Sequence, residues 1–258
     1  MATERELLAA RLFTHAVFPV MKVILNDDPK MKQKFSDVEA LVQFRAKDAA
    51  GDIGAWLVFN KGEFRVEQGI CDSPDITFSF SSVKKMNDML AGKPVIPGIS
   101  GFSKFGLLVK VFSLLLSLKI MMPDARPKKM DKKTLKVKLA FYMITTALSQ
   151  YNKGGDPDMV KWTTKQPDRI YQITVDGTDI AAYLRVKAGK SKAGRGVYTR
   201  KRPFIHMKFH GIDGALAVLL RDVEFVEGVA KGFVTIEGAP EYAAQLNDFM
   251  QRIQAMLT

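Results

Sequence analysis

Apolar positions recur along this chain with two alternating periods, and the order of those periods is written twice. Leu7, Leu8, Leu12, Val17, Val20 and Ile24 keep helical spacing and predict a helix over residues 4–25, bent at Pro19. Period-two alternation of β-branched and aromatic residues predicts strands over 40–46, 54–60, 63–69 and 76–81. A short helix over 82–91 places Val83, Met86 and Leu90 on one face, and a strand over 95–101 leads into a final helix over 105–120. The second half repeats this order. Leu135, Leu139, Tyr142, Met143 and Thr146 predict a helix over 131–150, followed by strands over 169–175, 180–186, 196–200 and 204–210. A helix over 212–220, a strand over 232–238 and a helix over 240–256 complete it.

Matched residues support the repeat. Asp28-Pro29-x-Met31 returns as Asp156-Pro157-x-Met159, Ala55-Trp56-Leu57 as Ala182-Tyr183-Leu184, and the run 76–80 as 205–209. Phe112 and Leu116 match Phe249 and Ile253 at a longer offset, which predicts a short insertion before the last helix of the second copy. The expected domains are residues 1–128 and 129–258, joined by an exposed linker over 122–130 that holds Pro123 and Pro127. Asn60-Lys61-Gly62 and Asp176-Gly177 carry hairpin-turn chemistry, so an antiparallel meander and an α+β fold are expected.

This order resembles the sterol carrier protein-2 (SCP2) domain. The residues that carry the resemblance are the alternating strand Asp75-Ile76-Thr77-Phe78-Ser79-Phe80 and the helix end Ala91-Gly92-Lys93. Thr235-Ile236-Glu237-Gly238, before the last helix, is similar to a Lys-Ile-x-Gly strand. The resemblance spans residues 36–120 and 165–257. It implies two tandem SCP2-like domains, each an antiparallel-rich twisted five-stranded sheet covered by helices around an apolar cavity. It also implies an intracellular protein that holds a sterol, fatty acyl chain or similar lipid. Pro97 and the basic stretch 187–202 depart from the pattern and set the two copies apart.

Composition narrows the chemistry. The net charge of +12 favours nucleic acid, an anionic membrane or an acidic ligand, and charge alone does not choose among them. With the resemblance, peripheral contact with an anionic membrane surface is the expectation. One cysteine, Cys71, excludes an intrachain disulfide framework and fits a reducing, cytoplasmic compartment. The N-terminus does not read as a signal peptide, because Glu4, Arg5 and Glu6 precede its apolar run. The longest apolar stretch, 105–122, carries Lys110 and Lys119, so a helix that touches lipid, lines a pocket or forms a homodimer interface fits it better than a bilayer span.

Candidate ligand-binding residues follow from the resemblance and the helical stripes. In the first copy they are Phe78, Phe80, Met86, Met89, Phe105, Leu108, Phe112, Leu115 and Leu116. In the second they are Met207, Phe209, Leu216, Tyr242, Leu246, Phe249 and Ile253, the last four at i, i+4, i+7 and i+11. Ordinary core packing explains the same spacing. Lys187, Lys190, Lys192, Arg195, Arg200, Lys201 and Arg202 are candidates for an anionic headgroup or surface, or form a solvated hairpin tip. Nucleic acid ranks below both, since Tyr198 is the lone interleaved aromatic.

Catalytic and metal motifs are weak. Ala188-Gly189-Lys190-Ser191 mimics the end of a phosphate-binding loop but lacks its first glycine. His206 and His210 would stand about 13 Å apart on a strand, so no metal site is expected. Asp27-Asp28 reads as helix capping, and no nucleophile elbow is present. The expectation is a non-enzymatic lipid-binding or transfer protein without a cofactor. An accessory factor presenting an isoprenoid quinone intermediate to a biosynthetic complex is the first alternative, and a lipid-modifying enzyme the second.

Overall fold

Helix α1 (Glu4–Leu12) starts at a reciprocal cap, in which Thr3 Oγ1 accepts from the Glu6 N–H and the Glu6 carboxylate accepts from the Thr3 N–H. A π-turn at Phe13–Val17 joins it to α2 (Phe18–Asp27). Pro19 brings no N–H to this register, and Gln68 Nε2 donates to the Thr14 carbonyl at 3.2 Å instead. The run Glu4–Asp27 is long and apolar enough to cross a membrane. Leu12, Phe18, Met21 and Ile24 are nevertheless buried within the protein, and a core helix passes the same test.

The computed structural model describes all 258 residues. It divides into two compact units, Met1–Lys119 with Met256–Thr258, and Ile120–Ala255. The fold is mixed α+β, with two five-stranded sheets and their helices.

In the first unit α3 (Pro29–Phe35) precedes β1 (Glu39–Ala46), β2 (Ile53–Asn60), β3 (Glu63–Gln68) and β4 (Ile76–Phe80). Helix α4 (Val83–Leu90), β5 (Gly98–Ser100) and α5 (Phe105–Ser117) follow. The sheet order is β3-β2-β1-β4-β5. Phe44 and Phe78 face each other across the β1–β4 pair with ring centroids 4.9 Å apart, and Phe18 lies 4.9 Å beyond Phe44. Phe112 of α5 meets the edge of Phe78 at 5.5 Å and ends this aromatic chain.

The second unit runs α6 (Met130–Lys153), α7 (Pro157–Thr164), β6 (Arg169–Val175), β7 (Ala181–Lys187), β8 (Lys190–Arg195) and β9 (Ile205–Phe209). Then come α8 (Gly211–Leu219), α9 (Phe225–Ala230), β10 (Val234–Gly238) and α10 (Pro240–Leu257). Its sheet order, β10-β9-β6-β7-β8, is the first order read from the other edge.

The structure corrects three expectations. The sheets are not pure meanders, because β1 pairs parallel with β4 and β6 parallel with β9 after a crossover. The strand expected at 196–200 lies at Lys190–Arg195. Ala188 (φ 45°) and Gly189 (φ 83°) turn the chain in two residues, so the strand begins at once. The sequence resembling a phosphate loop is therefore a hairpin turn. The strand expected over 95–101 is confined to Gly98–Ser100, beyond Pro97, which cannot donate to a ladder.

Local devices recur at matching places. Asp28 caps α3 and Asp156 caps α7, each followed by proline at the first helical position. Gln43 is buried on β1, where Nε2 donates to the Phe44, Ala55 and Gly69 carbonyls and Oε1 accepts from the Cys71 N–H. Gln172 does the same on β6, with the Ile173, Ala182 and Gly196 carbonyls and the Tyr198 N–H. Each glutamine ties the chain leaving one edge hairpin to the central strand. Gly101 (φ 89°) and Gly238 (φ 109°) close β5 and β10, and a Cβ on either would sit 2.1 Å from the Asp75 or Phe204 carbonyl oxygen. Only glycine fits there.

Candidate functional site: an uncovered helix face and a basic cleft

Helix α5 is apolar on two sides. Leu108, Val111 and Leu114 face inward and are buried. Phe105, Val109, Phe112 and Leu116 recur at i, i+4, i+7 and i+11 on the other side and are exposed, Phe105 by 66% and Leu116 by 56%. Phe102, in the short 3₁₀ turn before α5, extends this surface. Lys104 at one end is ion-paired to Asp75, and Lys110 lies 3.2 Å from Asp37.

The offset that aligns Gly101 with Gly238 aligns this stripe with Tyr242, Leu246, Phe249 and Ile253 of α10. There the positions are covered. Leu246 is 1% exposed and Ile253 0%. Trp162 of α7 stands 5.5 Å from Phe249, Tyr151 of α6 6.5 Å from it, and Phe204 5.1 Å from Tyr242. The Arg169 guanidinium lies 3.9 Å over Phe204 and 4.5 Å over Tyr242. Trp162 is held by its indole N–H, which donates to Gln245 Oε1 at 2.7 Å. Counted from the paired Asp-Pro caps, the first unit has Lys34 where the second has Trp162. Lys34 reaches Ser113 Oγ at 2.9 Å and puts no ring over the stripe.

Among the other candidate lining residues, Phe78, Phe80, Met86, Leu108, Met207, Phe209 and Leu216 are buried, while Met89, Leu115 and Tyr242 are half-buried. The structure brings Phe78 and Phe112 into contact and leaves Phe105 and Leu116 open.

The seven basic candidates are all exposed, but they do not form one group. Lys192, Arg195 and Arg200 line a cleft of about 240 Å³ together with Tyr183, Arg185, Val197, Tyr198 and Thr199. Lys187, Lys190, Lys201 and Arg202 lie outside this lining. Sequence reasoning missed Arg185, although its place between the buried Leu184 and Val186 on an alternating strand marks it as outward-facing. Arg185 donates twice to Asp168, at 2.8 and 2.7 Å. That bond, with Arg185, Lys201 and Lys187 nearby, holds the Asp168 carboxyl below its ordinary range.

The histidines have separate partners. His206 Nε2 is 2.8 Å from Thr174 Oγ1, and burial lowers its pKa, aided by Lys208 and opposed by Glu237. His210 lies between Asp176 and Thr235. Burial also raises the Tyr151 hydroxyl to about 12.

No family model matches the sequence, and no curated protein matches it. Among solved structures, part of the chain is similar to the sterol carrier protein domain 2 of Helicoverpa armigera. The TM-score is 0.32 and the identity 18%, over 46% of this chain and 95% of that one. Sterol Carrier Protein 2 Like 2 from Aedes aegypti gives 0.29 and 16%, over 43% and 97%. A stereoselective inverting sec-alkylsulfatase from Pseudomonas sp. gives 0.26 and 12%, over 55% of this chain and 28% of that one.

Proposed function

We propose that the chain is a tandem pair of SCP2-like units that binds and carries an apolar lipid, such as a sterol, fatty acyl chain or isoprenoid, without transforming it. The observation that carries this reading is the uncovered stripe of α5. Its positional equivalent in α10 lies under an aromatic cluster, so the fold can cover this face and the first unit does not. Burying a Phe or Leu side chain fully is worth about 1.5–3 kcal/mol, and the α5 stripe holds that gain in reserve for a ligand.

The common strand order, the paired glutamines and the paired closing glycines support descent of both units from one design. In this reading the first unit contacts lipid and the second has filled the same place with its own side chains. The positive net charge would draw the protein to anionic membranes as a cytoplasmic, peripheral visitor. Native mass spectrometry before and after organic extraction tests lipid carriage. A mass adduct that extraction removes and added lipid restores is expected. A single unliganded mass throughout, with every lipid class tried, would overturn the proposal.

A further inference from the structure

The basic cleft of the second unit has a built wall and an unused charge. Tyr183 lies flat across β8 because residue 194 is glycine, whose Cβ would otherwise stand 2.2 Å from the Tyr183 ring. Tyr198 packs edge-on against Tyr183 at 4.9 Å, and its own backbone is pinned by Gln172. Arg195 is placed over the Tyr142 ring at 4.8 Å. Arg185 is oriented by Asp168, whose backbone carbonyl also accepts from Lys201 Nζ at 2.5 Å. No acid lines the cleft, and Lys192 and Arg200 make no ion pair. At the matching places the first unit has Val58, Arg65 and Gln68 where the second has Arg185, Lys192 and Arg195, and its Arg65 is bound to Glu67.

We propose that this cleft is an anion site for a phosphate-type group, gripped by Lys192 and Arg200 and walled by Tyr183 and Tyr198. Lys192 on β8 is the register partner of Arg185, and with Arg200 at the same cleft it suits a compact anion, with charge-assisted hydrogen bonds to its several oxygens. The group could be a lipid headgroup or a soluble phosphate. The site does not rest on lipid capture at α5.

Calorimetric titration of the full chain with inorganic phosphate tests it. One saturable site is expected, weakened at least about tenfold in the double variant Lys192→Ala/Arg200→Ala. The charge-matched variant Lys128→Ala/Lys129→Ala should bind as wild type does, as should Phe105→Ser/Leu116→Ser. The substituted residues are exposed, and thermal unfolding checks that each variant folds. Vesicles of phosphatidylcholine with phosphatidic acid separate the sources. Competition with phosphate, lost in the cleft variant, assigns a headgroup; equal vesicle binding by wild type and cleft variant assigns a soluble phosphate. Absence of saturable phosphate binding, or an equal loss in the charge-matched control, would overturn the site.

Discussion

Single residues carry much of this fold's specificity, and the two buried glutamines are the clearest case. Each amide donates both of its N–H bonds to backbone carbonyls and accepts one backbone N–H at its oxygen. Truncating Gln172 to alanine strands buried backbone groups and should cost about 2–3 kcal/mol, read as a lower urea midpoint. Gln43→Ala should cost a similar amount, and a change below 0.5 kcal/mol in either would contradict the pinning role. His206 supplies a pH signature. Burial holds its native pKa below the ordinary 6.5, so the unfolded chain takes up the proton first as pH falls. Stability present above pH 6.5 should decline as the pH drops through the window between the two values, and level off below the native one. His206→Gln can keep a bond to Thr174 and should flatten that window in pH-dependent thermal unfolding. An unchanged slope would assign the dependence to other groups.

Among the elements, α6 shows how charge placement was only half legible. Lysines at 132, 133, 136 and 138 crowd its first turns, where the helix dipole opposes them. Lys133 and Lys138 reach Asp213 and Asp179. Lys136 is buried and donates to the Met122 and Ala125 carbonyls, with burial lowering its pKa. It clamps the linker segment, most of whose residues are exposed. Lys136→Ala should therefore speed limited proteolysis within residues 122–130, and cleavage at the wild-type rate would contradict the clamp.

Strands with clear alternation, such as β4 and β9, were readable because one face of each is buried. Strand β8 was not, since its Lys190-Ser-Lys-Ala-Gly-Arg195 sequence lacks β-branched and aromatic residues and pairs on one side only. Parallel pairing of β1 with β4 left no local trace, because it joins segments more than thirty residues apart. The capping aspartate of α3 was visible in Asp27-Asp28, whereas the short helix behind it was too polar to declare a face.

For the whole molecule, the repeated pattern in the sequence corresponds to two sheets of one strand order with unequal surfaces. That inequality was partly legible: α5 reads as apolar all round, and the 187–202 stretch as basic. Which face of α5 stays bare was not, because it depends on Lys34 standing where Trp162 stands in the second unit, a difference visible only once α3 and α7 are placed. The central claim is that the bare face exists to hold lipid. Its most direct test is titration of the extracted protein with a fluorescent fatty acid, comparing wild type with Phe105→Ser/Leu116→Ser. The account predicts saturable binding by wild type, displaced by unlabelled lipid and weakened by at least about tenfold in the variant. No saturable binding by wild type, or equal binding by a folded variant, would contradict it.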